Sequence, residues 1–243
     1  MKRFAIRALT TVALCSITTV AAMAQTDSRA ETLKQIENKR AELAALEKKF
    51  LAPSEEDRLL YAEFLTQPNT GLIRLLPREK FDREDKMTIR GGGAYYSFAL
   101  LTHAYGRGSD IELGQNRLSV GFAGYDYGLL VQAGKGPFGE LTFDNPSVSA
   151  LANYKIAATE AEARSEHQRF GAGANLDGIK VRSYLPVEVN ANYVLRSINY
   201  PDSDVLVVFR VIGKDEDGSV TILWKLLERF PKPEVARAKQ TPN

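Results

Sequence analysis

A short polar segment, Thr102–Asp110, contains the side chains best suited to covalent chemistry. It holds a serine, a histidine and an aspartate, the residue types of a hydrolytic triad. A triad needs these groups to converge beside oxyanion donors, and the chain has no G-x-S-x-G turn. One open interpretation is a hydrolase that uses His103 with Ser109 or Asp110. The interpretation we favour is a loop in which Ser109 or Asp110 caps the backbone and Arg107 pairs with a carboxylate, with no catalytic residue.

The segment Gly124-Tyr125-Asp126-Tyr127-Gly128 places two tyrosines and a carboxylate in a turn bounded by glycines. Exposed aromatic side chains beside a carboxylate suit stacking on a sugar ring or gripping a peptide. The favoured alternative is an edge strand whose tyrosine hydroxyls face water. The candidate ligand surface joins this turn to the region from Arg90 to Asp110, for a protein, peptide or glycan ligand. Its residues are Arg90, Tyr95, Tyr96, His103, Arg107, Ser109, Asp110, Tyr125, Asp126 and Tyr127.

Three other segments resemble ligand sites in part. Gly134–Gly139 matches G-x-G-x-x-G, but Pro137 and a predicted following strand favour a β-turn over a dinucleotide site. Gly91–Gly93 indicates a sharp corner, or the close approach of a ligand or another backbone. Asp215–Gly218 has only the beginning of a calcium loop, so a solvated turn is favoured. With two histidines and one cysteine, Cys15, the chain is expected to hold no metal and no cofactor.

The N-terminus has the pattern of a secretory signal. Three basic residues and no acidic one occur in residues 1–7, and an interrupted apolar run follows. The run ends at Ala22-Met23-Ala24, an A-x-A cleavage pattern, and it is shorter than the roughly 20 apolar residues of a membrane-spanning helix. Residues 1–24 are therefore predicted to be a signal peptide. We expect an exported, soluble protein, periplasmic or extracellular, with no transmembrane segment after cleavage.

Composition and charge exclude several functional classes. The 243 residues are 44% hydrophobic and 26% charged, unlike a wholly disordered chain. The 32 basic and 30 acidic residues give a net charge of +2, but three basic residues belong to the predicted signal. The near-neutral remainder, without a basic cluster among aromatics, gives no reason to expect nucleic acid or an anionic membrane as partner. Because Cys15 also lies in the signal, disulfides are not expected to stabilise the fold.

Residues 25–67 are predicted to form an N-terminal helical segment. The span Ser28–Phe50 has no glycine or proline, and Ser54 is a good N-cap for a second helix. The two are expected to form a helical hairpin. The first helix has an apolar stripe at helical spacing, which also resembles a short coiled-coil seam. The helix could pack on its own domain, and the alternative is a homo-oligomer formed through residues 28–50. The stripe consists of Leu33, Ile36, Leu43, Leu46 and Phe50.

Residues 71–232 are predicted to be a mainly antiparallel β domain, either a sandwich or barrel-like. Short apolar runs alternate with turn residues, as in such folds. Strands are predicted at Leu72–Leu76, Met87–Arg90, Ala94–Leu101, Ile111–Leu113, Leu118–Phe122, Gly128–Gln132, Leu141–Phe143, Ile179–Leu185, Asn192–Tyr200, Val205–Ile212 and Val220–Leu227.

Two features of this domain are predicted in more detail. Thr159 begins one inserted helix, with Glu162 in the capping-box position. The nearly continuous apolar run Val205–Ile212 is expected to be buried on both faces, and an Asp-Gly turn joins it to the last strand as a hairpin. Residues 233–243 are predicted to be a disordered tail. The overall class is α+β.

Two blocks of sequence carry a resemblance to known proteins. Arg90–Gly128 and Tyr193–Arg210, the latter reading YVLRSINYPDSDVLVVFR, are similar to segments of uncharacterised secreted bacterial proteins. The resemblance covers the greater part of the chain and implies export, but no activity. Together with the residues, it favours a non-enzymatic binding or envelope-associated module. The hydrolase and a coiled-coil assembly protein remain the alternatives.

Overall fold

The structure, a computed structural model, describes residues 5–122 and 124–236, with side chains from residue 28 onward. Its chain divides into two compact units, with the boundary between Phe50 and Leu51. The side chains of the predicted signal peptide lie outside the described residues. No described helix is both long enough and apolar enough to cross a bilayer.

The first unit is a single helix, α1 (Ala5–Phe50), so the helix predicted over Ser28–Phe50 is confirmed. Its apolar stripe remains in solvent, with exposed fractions from 42% at Leu43 to 64% at Leu46. The helix predicted after Ser54 is present in the second unit as two short helices. Ser54 Oγ accepts a hydrogen bond from the backbone N–H of Asp57 at 3.0 Å, which confirms the predicted cap.

The second unit contains the remaining helices and all the strands of the described residues. The helices are α2 (Glu55–Leu60), α3 (Ala62–Leu65), α4 (Arg78–Phe81), a 3-10 turn (Phe138–Glu140), α5 (Pro146–Ala152) and α6 (Glu160–Ala172). The strands are β1 (Thr70–Leu75), β2 (Tyr95–Tyr96), β3 (Ile111–Gly114), β4 (Arg117–Ser119), β5 (Tyr127–Gln132), β6 (Ala174–Leu176), β7 (Ile179–Val181), β8 (Tyr184–Pro186), β9 (Asn192–Asn199), β10 (Ser203–Lys214) and β11 (Val220–Arg229).

The strands form three antiparallel sheets, which together with the helices confirms the α+β class. The largest has the order β1-β11-β10-β9-β5, the second β2-β3-β4-β8, and the third contains β6 and β7. Over the described ranges neither large sheet closes on itself, so the barrel-like alternative is wrong.

The central strand β10 separates two hydrophobic clusters. On one face, Val207 and Phe209 join a cluster that includes Ile111 of the second sheet. On the other face, Leu206 and Val208 join a cluster that includes residues of α5 and α6. The prediction that this run is buried on both faces is confirmed. Alternating side chains of one strand therefore hold the sheet to two different layers.

Two local predictions near the C-terminal half are confirmed by their hydrogen bonds. At α6, Thr159 Oγ1 accepts from the N–H of Glu162 at 3.2 Å, and the Glu162 carboxylate accepts from the N–H of Thr159 at 3.0 Å. The turn between β10 and β11 has Gly218 at φ +91°, with its N–H bonded to Asp215. The Asp215 carboxylate of this turn pairs with Arg74 at 2.7 Å.

Two predicted strands are absent and a third is much shorter. Met87–Arg90 forms turns instead of a strand. Leu141–Phe143 is turn structure, because local bonds such as Asn145 N–H to the Thr142 carbonyl replace a sheet partner. Of Ala94–Leu101 only β2 remains, because the chain turns after Tyr96 and the Asp110 carboxylate accepts the N–H groups of Phe98 and Ala99.

A missed helix and the predicted tail are further corrections. Helix α5 has both start signals, since Asn145 caps it through the N–H of Ser147 at 3.0 Å and Pro146 is its first residue. The prediction of a disordered tail is wrong for residues 233–236, where the Ala236 N–H donates to the Ala158 carbonyl at 3.0 Å. Residues 237–243 lie outside the described residues.

The triple glycine forms a close contact between two segments of the same chain. Gly91, Gly92 and Gly93 have φ values of +84°, +61° and +77°. A Cβ atom on Gly92 would lie 2.3 Å from the carbonyl carbon and oxygen of Phe81. The backbone that approaches these glycines is therefore the chain's own, and a side chain at Gly92 would separate it from α4.

The most buried ion pair joins β9 to β10. Arg196 Nε and Nη2 donate to the two carboxylate oxygens of Asp204, at 3.0 Å and 2.8 Å. Arg196 Nη1 donates to the carbonyl oxygens of residues 151, 152 and 154 at the end of α5. The side chains are 5% and 1% exposed. One guanidinium therefore satisfies a buried carboxylate and bonds three backbone carbonyls at and just after the end of α5.

Replacing Arg196 with methionine is expected to lower the free energy of unfolding by about 3–5 kcal/mol, because the Asp204 carboxylate then lies buried without a cation. Urea denaturation measures the loss. The double variant Arg196→Met/Asp204→Leu, which removes the stranded charge, should recover a large part of it. A single variant that loses less than about 1 kcal/mol would contradict this role.

Candidate functional site

The predicted tyrosine-rich ligand surface is mostly interior. Tyr95 and Tyr96 are each 6% exposed and Tyr127 is 1% exposed. The Tyr127 hydroxyl accepts hydrogen bonds from the Ala157 N–H at 2.9 Å and from the Tyr154 hydroxyl at 3.3 Å. Tyr127 does begin an edge strand, β5, but its ring is buried and its hydroxyl bonds within the protein instead of facing water. A ligand could reach these three rings only by displacing the core.

The side chains of the proposed triad have separate partners. His103 Nε2 donates to the backbone carbonyl of Arg74 at 3.0 Å. Burial of the imidazole lowers the pKa of His103, which favours the neutral ring. Ser109 Oγ accepts from the Gly106 N–H at 3.1 Å, and Arg107 lies 3.5 Å from a carboxylate oxygen of Asp202. The predicted cap at Ser109 and the predicted ion pair of Arg107 are both present.

Asp110 organises a buried turn. Its carboxylate accepts from the Phe98 N–H at 2.7 Å, from Asn199 Nδ2 at 2.9 Å and from Ser97 Oγ at 3.4 Å. The side chain is fully buried, and burial raises the pKa of Asp110 from 3.8 to about 6. These contacts join the turn after β2 to the end of β9. The position is structural, and Ser109 beside it is 3% exposed.

The remaining predicted residues do not converge on one site. Arg90 is exposed, with its guanidinium 5.0 Å from the centre of the Tyr105 ring. Tyr125 packs on Tyr200, with ring centres 5.6 Å apart. Asp126 accepts from the Tyr200 N–H at 2.8 Å, and burial raises the pKa of Asp126 to about 6. Each of these side chains therefore contacts another part of the second unit.

A different site opens on the α5 side of the largest sheet. It is a groove of about 750 Å³ with a floor from β10 and β11. One wall comes from the α2–α3 segment and its following turn, the other from the turn structure at residues 138–143. We call it the β10–β11 groove. Its lining is Tyr61, Phe64, Gln67, Pro68, Asn69, Phe138, Gly139, Leu141, Thr142, Phe143, Val208, Arg210, Leu223, Lys225, Leu226 and Leu227.

The walls of the β10–β11 groove are aromatic. Phe64 of one wall meets Phe138 of the other edge to face, with ring centres 5.5 Å apart and an interplanar angle of 64°. Phe143 is 48% exposed, whereas Leu141 behind it is 4% exposed. Phe64 and Phe138 therefore pack against each other across the groove, whereas the large aromatic side chain of Phe143 is open to solvent.

Two cations lie in the floor of the β10–β11 groove. Val208 pairs with Lys225 and Arg210 with Leu223, so all four side chains are on the same face of the sheet. Arg210 and Lys225 are diagonal neighbours, which places their Cα atoms roughly 7–8 Å apart. The lining contains no carboxylate. The floor thus combines apolar residues with two cations for which the described residues provide no ion pair.

The hydrogen bonds of these cations are to neutral oxygen atoms. Arg210 Nε donates to Asn192 Oδ1 at 2.8 Å, and its Nη2 donates to the Gly136 carbonyl. Lys225 Nζ donates to Gln67 Oε1 at 3.3 Å. No described residue accepts a hydrogen bond from Arg210 Nη1. An anion could enter this floor without displacing a protein carboxylate.

Sequence reasoning missed the β10–β11 groove although one signal was present. Arg210 and Lys225 interrupt two strands that are otherwise almost wholly apolar. A cation that interrupts a buried strand is either paired or placed at an opening of the core. The wall at residues 138–143 could not be recognised from the sequence, because the apolar pattern of Leu141–Phe143 predicts a strand and not a turn.

The comparisons with known proteins give no relative. No protein-family model, curated protein or solved structure matches the chain. The function proposed below therefore rests on the geometry and charge of the β10–β11 groove.

Asp110 predicts a defined pH dependence of stability. Between about pH 4 and pH 6 the folded chain keeps a proton on Asp110 that the unfolded chain has released. The contribution of Asp110 to the free energy of unfolding therefore falls as pH rises through about 6. Relative to Asp110→Asn, which does not titrate, the wild-type chain should lose about 2 kcal/mol from pH 4 to pH 7.

Urea denaturation of both chains at the two pH values measures this difference. The raised pKa of Asp126 is common to both chains and cancels. A difference between the chains that is constant with pH would contradict the raised pKa of Asp110.

Proposed function

We propose that this chain is an exported, non-enzymatic binding module that holds its ligand in the β10–β11 groove. The observation that carries the proposal is an aromatic and apolar lining around two cations whose protein partners are neutral. Ligand sites typically have apolar walls with a few polar groups that orient the ligand. The volume of about 750 Å³ is in the usual range for such sites.

In this proposal the two large sheets form a sandwich that serves as the rigid support of the site. The face of β10 toward the second sheet is closed by the shared core. The opposite face is covered by helices over part of its area and holds the groove over the rest. Export is inferred from the N-terminal signal pattern alone.

The groove supports binding better than hydrolysis. Its lining has the hydroxyls of Tyr61 and Thr142, but no histidine or carboxylate to activate them. His103 donates to a backbone carbonyl and is not part of the lining. A hydrolase would need a general base beside a nucleophile, and these residues do not offer that pair.

We expect the neutral apolar fluorophore N-phenyl-1-naphthylamine to bind in the groove with enhanced emission. Phe143→Ala should weaken its binding by about 1 kcal/mol, roughly fivefold, because part of the apolar contact is lost. A fluorescence titration measures this. Leu100→Ala is the matched control, since Leu100 is also strongly exposed and lies outside the groove. Equal weakening by both variants, or no binding at all, would contradict the proposal.

A second candidate function is assembly through α1. Its apolar stripe is exposed along the described part of the helix, and covering such a stripe is the usual basis of helix pairing. Light scattering should give a mass above that of a monomer for the chain with residues 28–50, and a monomeric mass without them. Monomeric masses for both chains would rule this function out.

A further inference from the structure

We infer that the ligand of the β10–β11 groove is a long-chain carboxylate, with its head group at Arg210 and Lys225 and its alkyl chain along the aromatic walls. The inference rests on the proposed function, because it names the chemistry of the ligand for the same site. Three properties of the groove support it: the charge of the floor, the supply of free donors, and the shape of the walls.

The charge of the floor selects an anion. Arg210 and Lys225 project from neighbouring strands onto one face, and the lining places no carboxylate beside them. A neutral or cationic amphiphile would remove water from these cations without neutralising either of them. A single carboxylate placed between diagonal neighbours can interact with both.

The donors that remain free suit a carboxylate head. Arg210 uses Nε and Nη2 for Asn192 and Gly136, which fixes the guanidinium plane against the neighbouring turn. Its Nη1 and the remaining protons of Lys225 Nζ are left for a ligand. The guanidinium centre lies 5.8 Å from the centre of the Phe138 ring, so the head-group site borders the aromatic wall. A head group bound there places the first carbons of its chain against Phe138.

The shape of the walls suits a flexible alkyl chain better than a flat ring. Phe64 and Phe138 meet edge to face at 64°, so they do not present two parallel faces between which a base or another aromatic ring could stack. Val208 and Leu223 lie between the two cations but are only 1% and 2% exposed, so the apolar surface offered to a ligand comes from the half-buried Leu227 and the exposed Phe143. An alkyl chain can follow such a surface because each of its segments needs only apolar contact.

The test is displacement of N-phenyl-1-naphthylamine from the purified protein by palmitate, with hexadecanol as the neutral ligand of equal chain length. Both are used below the concentrations at which they aggregate. We expect palmitate to displace the fluorophore at a concentration about tenfold lower than hexadecanol, because only palmitate makes charge-assisted hydrogen bonds.

The variant that tests the head-group contact is Lys225→Gln, since Lys225 has one hydrogen bond, to Gln67, whereas Arg210 also holds the turn at Gly136. Lys225→Gln should lower the preference for palmitate over hexadecanol about tenfold, measured as the ratio of their displacing concentrations in the same variant. Lys180→Gln, an exposed lysine on β7 outside the groove, is the matched control and should leave this ratio unchanged.

Two results would overturn the inference. Equal displacement by palmitate and hexadecanol would show that the groove does not select an anion. The second result is that the fluorophore binds, that Phe143→Ala weakens this binding, and that palmitate does not displace the fluorophore. It would refute the long-chain carboxylate as the ligand but would leave the proposed binding function intact. Loss of the proposed function itself looks different, because the fluorophore then fails to bind or is insensitive to Phe143.

Discussion

The buried pair of Arg196 and Asp204 sets the geometry on which the second unit depends. A guanidinium inside a protein must have all its charge and hydrogen-bonding capacity satisfied, and here the partners come from β10 and from the end of α5. That requirement fixes α5 over the sheet. Because Asn145 caps α5 at its start, the turn structure just before it is also held in position. This segment forms one wall of the β10–β11 groove and lies just before α5 in the chain, so the ion pair anchors the helix that follows the wall.

The largest sheet has a different role on each face. One face is closed by a continuous apolar cluster shared with the second sheet. The other is covered only where α5, α6 and the third sheet reach it. The part of this face that these elements do not cover is the floor of the β10–β11 groove. There Arg210 and Lys225 occupy positions that are apolar elsewhere along the two strands. The same alternation along β10 and β11 therefore produces both the sealed core and the open, positively charged floor.

Features encoded by neighbouring residues could be predicted from the sequence. The capping box at Thr159 and the Asp-Gly hairpin depend on contacts within a few positions, and both are present. Predictions failed where a distant group competes for the backbone. Asp110 accepts the N–H groups that would have extended β2, and it lies more than ten positions away. Packing over long sequence distances also decides the place of Tyr95, Tyr96 and Tyr127, which look like a binding face in sequence but are core residues once the sheets pack.

The wall formed by residues 138–143 has no sheet partner in the described structure, and its hydrogen bonds are local turn bonds. The floor, in contrast, belongs to paired strands whose other residues build the core. The solvent-exposed Phe143 of the wall can therefore be exchanged during evolution with little effect on folding, whereas the buried Leu141 is constrained by core packing and each floor position by its register. Homologous chains would then diverge in the length and breadth of the molecule they accommodate while retaining the charge of the floor. Under the proposed function, chain-length preference and head-group preference would thus be encoded in separate segments, and each could drift without the other.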